Sequence, residues 1–170
     1  MRTNSARRTS GTSLAELPLN LWVFIFLLLI PFIDFVTMGC RGSLAYFGVR
    51  DATLQASIQN TFTNAAATAN AVLAKDAGSW TGIGYASTNV YAVQVDQSGV
   101  ETQGPANAPW PSVINSADVY LIRVSTSASC SPLVNMVASG TWGSVPGLTS
   151  PITVTFTYQV SAENPSGLLK

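Results

Sequence analysis

Glu16 and Asp34 are the only carboxylates among the first fifty residues, and an apolar run lies between and around them. From Leu17 to Met38 that run is LPLNLWVFIFLLLIPFIDFVTM, polar only at Asn20 and Asp34. An acid inside or beside such a segment is costly to desolvate, so its chemistry is pairing with a cation or a set of hydrogen-bond donors. For Glu16 two readings stand together. Ser13-Leu14-Ala15-Glu16 fits the S-x-x-E capping box that starts a helix. A carboxylate at a membrane edge would equally pair with the free N-terminal amine of a neighbouring subunit. Asp34 follows Glu16 by 18 positions; on an unbroken helix this is about five turns, which puts both acids on one face roughly 27 Å apart. Asp34 is then either a contact inside the bilayer or a group at its outer interface. Pro31, lacking a backbone donor, is placed to kink the helix just before it.

The element that must carry these acids is a membrane-spanning helix. About 20 apolar residues cross a bilayer as a helix, the only single-segment form that satisfies its own backbone there. Arg2, Arg7 and Arg8 precede the run with no acid among them, whereas Arg41, Arg50 and Asp51 follow it. The positive-inside bias therefore predicts a cytoplasmic N-terminus, with everything after Cys40 extracytoplasmic. The run is longer than a signal-peptide core and no small-residue cleavage site follows it, so an anchor is expected.

In front of the anchor, a basic leader ends in Gly11, and Glu16 is the fifth residue beyond that glycine. With the apolar run and its proline, the second acid Asp34, and the Ala-rich stretch Arg50-Asp51-Ala52-Thr53-Leu54-Gln55-Ala56, the N-terminal third resembles the TadE-like group of pilus assembly proteins. These are minor pilin-like subunits of the tight-adherence (Flp) type IV pilus. The resemblance covers residues 11–60 and, further on, the closing Thr/Val strand. It implies cleavage by a prepilin peptidase between Gly11 and Thr12, docking of Glu16 (and of Asp34) against other pilin or pseudopilin subunits, and residence in the cytoplasmic membrane or a surface pilus. The other reading left open is an uncleaved, membrane-anchored extracytoplasmic binding domain.

Composition narrows the remaining classes. Only 9% of residues are charged and the formal net charge is zero, so no basic face invites nucleic acid. Histidine is absent, which removes the commonest general base and metal ligand. Neither a phosphate-binding glycine loop nor a nucleophile elbow occurs, and Asp96, Glu101, Asp118 and Glu163 are scattered singly. A non-enzyme without metal or cofactor is expected. Cys40 and Cys130 form no metal motif; after export they could bridge, provided that Cys130 folds back to the membrane face, or remain two thiols.

The fold class expected is α+β: a leader at 1–11, a membrane helix at 12–40, an amphipathic helical spine at 41–77 and a β-rich head at 78–170. Leu44, Phe47, Leu54, Ile58, Phe62, Ala65, Ala69 and Val72 recur at mostly helical spacing, which predicts that the membrane helix continues outward to Lys75, with Gly78 as its stop. Strands are predicted at 89–96, 100–103, 118–125 and 152–161, the last with unbroken apolar/polar alternation and a Thr/Gln face open to solvent or a partner. Trp80, Trp110 and Trp142 sit in Gly-, Pro- or Ser-containing loops, where they would fill gaps or bind a ligand.

Overall fold

The structure, a computed structural model, describes residues 10–134 and 145–170, with side chains from Glu16 onward. The leader up to Thr9 and Trp142 lie outside the described residues. The fold is α+β: a long apolar N-terminal helix, a second helix beside it, and a small antiparallel sheet.

Helix α1 (Ser10–Phe24) passes through a π-helical turn (Ile25–Leu29) into α2 (Ile30–Ser57). Helix already begins at Ser10, so Ser13 is an interior position of α1 and not its first residue; Pro18 likewise sits inside α1. The π turn has a local cause. Pro31 has no N–H and its ring crowds the carbonyl four residues earlier, at Leu27; a wider turn just upstream relieves that crowding. The Ile30 N–H accordingly reaches back five residues, to the Ile25 carbonyl.

The spine does not run on to Lys75. It breaks at Ile58–Thr61, and α3 (Phe62–Ser79) starts afresh with Thr61 as its N-cap, its side chain accepting from the Asn64 N–H at 3.2 Å. Helix α3 runs through Gly78 to Ser79, so that glycine is not its stop; the Trp80 N–H bonds the Asp76 carbonyl at its end. Helices α2 and α3 therefore form a hairpin.

Four strands follow: β1 (Ile83–Val95), β2 (Glu101–Gln103), β3 (Val119–Cys130) and β4 (Ile152–Ser161). All neighbours are antiparallel in the order β2-β1-β3-β4. The central pair is longer than the alternation predicts, because β1 begins at Ile83 and β3 runs on to Cys130. A bulge between Ala86 and Asn89, with Ser87 at φ 46°, carries β1 across its irregular middle.

The helical hairpin covers one face of the sheet. Val49, Ala52 and Ala56 from α2, with Phe62, Ala65, Ala69 and Leu73 from α3, meet Val90, Ala92, Tyr120, Ile122 and Val124. On α3 the predicted stripe is the buried one. On α2 it is not: Phe47, Leu54 and Ile58 face outward, while Ala45, Gly48, Val49, Ala52, Thr53 and Ala56 are buried. Small side chains let the helix axis approach the sheet closely, and the bulky apolar stripe is left on the opposite side. Trp110 closes the far end of the core edge-to-face on Tyr120, so it fills a gap, whereas Trp80 is exposed.

Candidate functional site

The end of the head nearest the apolar helix is fastened to α2 by two residues seven apart, Asp34 and Arg41, which two helical turns place on one face. Asp34 is fully buried, and its Oδ1 accepts hydrogen bonds from the Leu133 and Val134 N–H groups at 3.0 and 2.9 Å. Its Oδ2 has no hydrogen-bond partner among the described residues. Two turns on, the Arg41 guanidinium donates from Nη1 to the Ser131 carbonyl. The segment leaving β3 is thus gripped by an acceptor for its N–H groups and a charged donor for its C=O.

Gly82 completes this arrangement. It lies at φ 83°, and a Cβ there would stand 2.6 Å from the Arg41 Cζ. Its carbonyl also takes the Ser131 N–H at 2.9 Å. Only glycine meets both the backbone conformation and the close approach of the guanidinium. Further out, the Tyr85 hydroxyl from β1 donates to the Ala45 carbonyl at 3.3 Å. Burial, with added repulsion from Asp76 and Cys130, pushes that phenol up to about 12, so it stays a neutral donor.

Cys130 lies next to Ser131, at the end of the head that Arg41 grips, yet the two thiols are unpaired here: Cys40 is exposed and Cys130 buried. Burial raises the Cys130 thiol above its ordinary range and Arg41 partly offsets this. Such a thiol is poorly nucleophilic.

Glu16 is exposed on the anchor, remote from this latch. The expectation that it shares a face with Asp34 fails for a geometric reason. A π turn amounts to one inserted residue, which rotates everything beyond it by about 100°. The carboxylates therefore point in different directions, with Asp34 turned to its own head.

Beside the latch, Gly39, Gly42, Ser43, Tyr46, Phe47 and Phe156 line an open apolar groove of about 400 Å³ between α2 and β4. Strand β4 forms one margin of the sheet, and no described strand pairs with its outer edge. Its Thr153, Thr155, Thr157 and Gln159 are exposed. On the other side of the sheet, the stretch of β1 beyond its short pairing with β2 is covered: Gly104 donates to the Ala92 carbonyl, and Asn107 both donates to the Val90 carbonyl and accepts the Val90 N–H through its side chain. Strand β4 thus presents a long edge on which another strand could pair.

Compared with family models, curated proteins and solved structures, the chain finds no match in any of the three.

Of the residues singled out in the sequence, Asp34 and Cys130 come together at the latch, Cys40 stands outside it, and Glu16 lies further along the anchor. Gly11 and Thr12 fall in the first turn of α1. Arg41 and Gly82 escaped the sequence reading. The one signal for Arg41 is its spacing from Asp34, which pairs the first cation after the apolar run with the acid inside it.

Proposed function

We propose that this chain is a single-pass, pilin-like subunit or assembly factor of a tight-adherence type IV pilus. Its leader is cut by a prepilin peptidase after Gly11, its N-terminus faces the cytoplasm, and its head stands outside the cytoplasmic membrane. The observation that carries this reading is the glycine-plus-five acid, Gly11 to Glu16, placed at the head of a helix that is apolar enough to cross a membrane. The stretch that passes this test of length and hydropathy runs from Glu16 to Ser57, 42 residues.

Two further observations support association with other subunits. Phe47, Leu54 and Ile58 form an outward apolar stripe on α2, in line with the anchor. The unshielded β4 edge and the neighbouring groove lie on the same side of the head as Phe47. Glu16 itself remains free of the head, available to a neighbour's amine once cleavage has produced one.

The test is a pair of variants in cells with an active prepilin peptidase and the pilus machinery. Gly11→Val abolishes leader removal, seen as a slower-migrating band. Glu16→Ala is inserted and trimmed normally but enters sheared filaments or assembly complexes poorly. A Gly11→Val protein processed like the wild type, or normal piliation with Glu16→Ala, contradicts the corresponding step.

A further inference from the structure

We infer that the segment after β3 rests in the lipid interface, so that the head sits on the bilayer through Leu133 and Val134. This inference depends on the membrane reading above.

Between Leu17 and Val36 every large apolar side chain except Ile25 and Ile30 is exposed. Those 20 positions span about 30 Å of helix, the thickness of a hydrocarbon core. From Thr37 on, the helix is increasingly covered by the head: Ala45, Val49 and Ala52 are fully buried. The outer boundary of the bilayer therefore lies close to Val36. Asp34 is two residues inside that boundary, about 3 Å along the axis. Its hydrogen bonds to the Leu133 and Val134 N–H groups hold these residues at the same depth.

Their side chains are suited to that position. Leu133 is 56% exposed and Val134 42%, and Val145, on the segment leading to β4, is also exposed. Nearby, Gly147 approaches the Met38 side chain, which keeps this second segment at the membrane end. In water these would be stray apolar groups; beside Phe35 and Val36 they extend the lipid-facing surface of the anchor sideways beneath the head.

For the N–H groups, the latch removes the usual obstacle. Irregular backbone enters an apolar phase only if its polar groups are satisfied by protein. At 133 and 134 both N–H groups are taken by one carboxylate, and Arg41 takes the Ser131 carbonyl at the polar side. Asp34 thus has a role independent of any neighbouring subunit: it lets a loop of its own head occupy the membrane surface.

The test uses the full chain in vesicles of phosphatidylethanolamine and phosphatidylglycerol, with a diazirine amino acid placed singly at position 27, 133 or 113. Position 27 lies in the anchor. Position 113 is 87% exposed, in the loop before the distal end of β3. Illumination is expected to give lipid adducts at 27 and 133 and none at 113. Adducts at 27 alone overturn the inference and leave the anchor intact. Adducts at none of the three overturn the membrane reading itself, and equal adducts at 113 and 133 show general adhesion of the head, which also overturns the seat proposed here.

Discussion

Asp34 shows how a residue's type can be legible while its task is not. A lone acid in an apolar run announces a functional contact, but the groups it binds lie 99 and 100 positions away, beyond any local pattern. Its expected effect on stability is specific. Asp34→Leu leaves two amides without a protein partner, at about 1–3 kcal/mol each. Asp34→Asn keeps an acceptor at Oδ1 and loses much less. Thermal unfolding in detergent, followed by near-ultraviolet circular dichroism, should rank wild type above Asn and Asn well above Leu. Equal loss in both variants would mean that charge, and not acceptance, holds the loop. The same residue also shows why Arg41 and Gly82 stayed hidden: one needs the helix phase and the other the φ of a loop, neither of which a single sequence states.

The elements were read better than their contacts. Strand β4 was recovered end to end because its alternation is unbroken, whereas 83–88 and 126–130 are, apart from Ile83, Tyr85 and Cys130, built of Gly, Ala, Ser and Thr with little apolar contrast. The spine was read as one helix because the apolar periodicity barely pauses at Ile58, yet Thr61 supplies a cap that periodicity does not register. Thr61→Ala should destabilise the head by about 0.5–2 kcal/mol, with Thr61→Ser close to wild type; chemical unfolding of the pair checks this, and equal midpoints for all three proteins would exclude a capping role. On α2 the larger residues drew attention to the wrong face, since packing against a sheet favours Ala and Gly over Phe and Leu.

Across the outer face of the sheet, Arg123 ties β2, β3 and β4 together, donating to Gln103, Gln159 and Glu101. The Arg123 hydrogen bond, helped by Gln159, holds the Glu101 carboxyl below its ordinary value of 4.5. A carboxylate with a depressed folded pKa adds stability above its unfolded value, and this is lost as pH falls through the folded value. The contribution is therefore complete at neutral pH and disappears below 4.5. Exposure of the pair keeps it small. Hydrogen exchange at β2 should accelerate, relative to β3, as pH is lowered below 4.5 after correction for intrinsic rates; a Glu101→Gln protein should show no such pH step. A step of equal size in that variant would assign it to another group.

At the scale of the whole molecule, a single helix changes character along its length. Its first half is apolar outward, long and apolar enough to cross a bilayer; its second half is apolar inward and builds a core with α3 and the sheet. The π turn at Ile25–Leu29 lies between the Glu16 end and the Asp34 end, and turns them apart. Asp34 therefore serves the head, while Glu16 stays exposed. The α+β architecture was legible from composition and hydropathy alone, because the change from a continuous apolar run to alternating segments is abrupt. The latch was not, because it closes only when the chain returns from β3 to the membrane edge. Trimming of the leader is the event on which the functional reading turns, since it creates the amine that Glu16 would meet. N-terminal sequencing of the protein extracted from membranes of cells carrying an active prepilin peptidase tests it directly. The account predicts a chain beginning at Thr12; a chain that still begins at Met1 would contradict it.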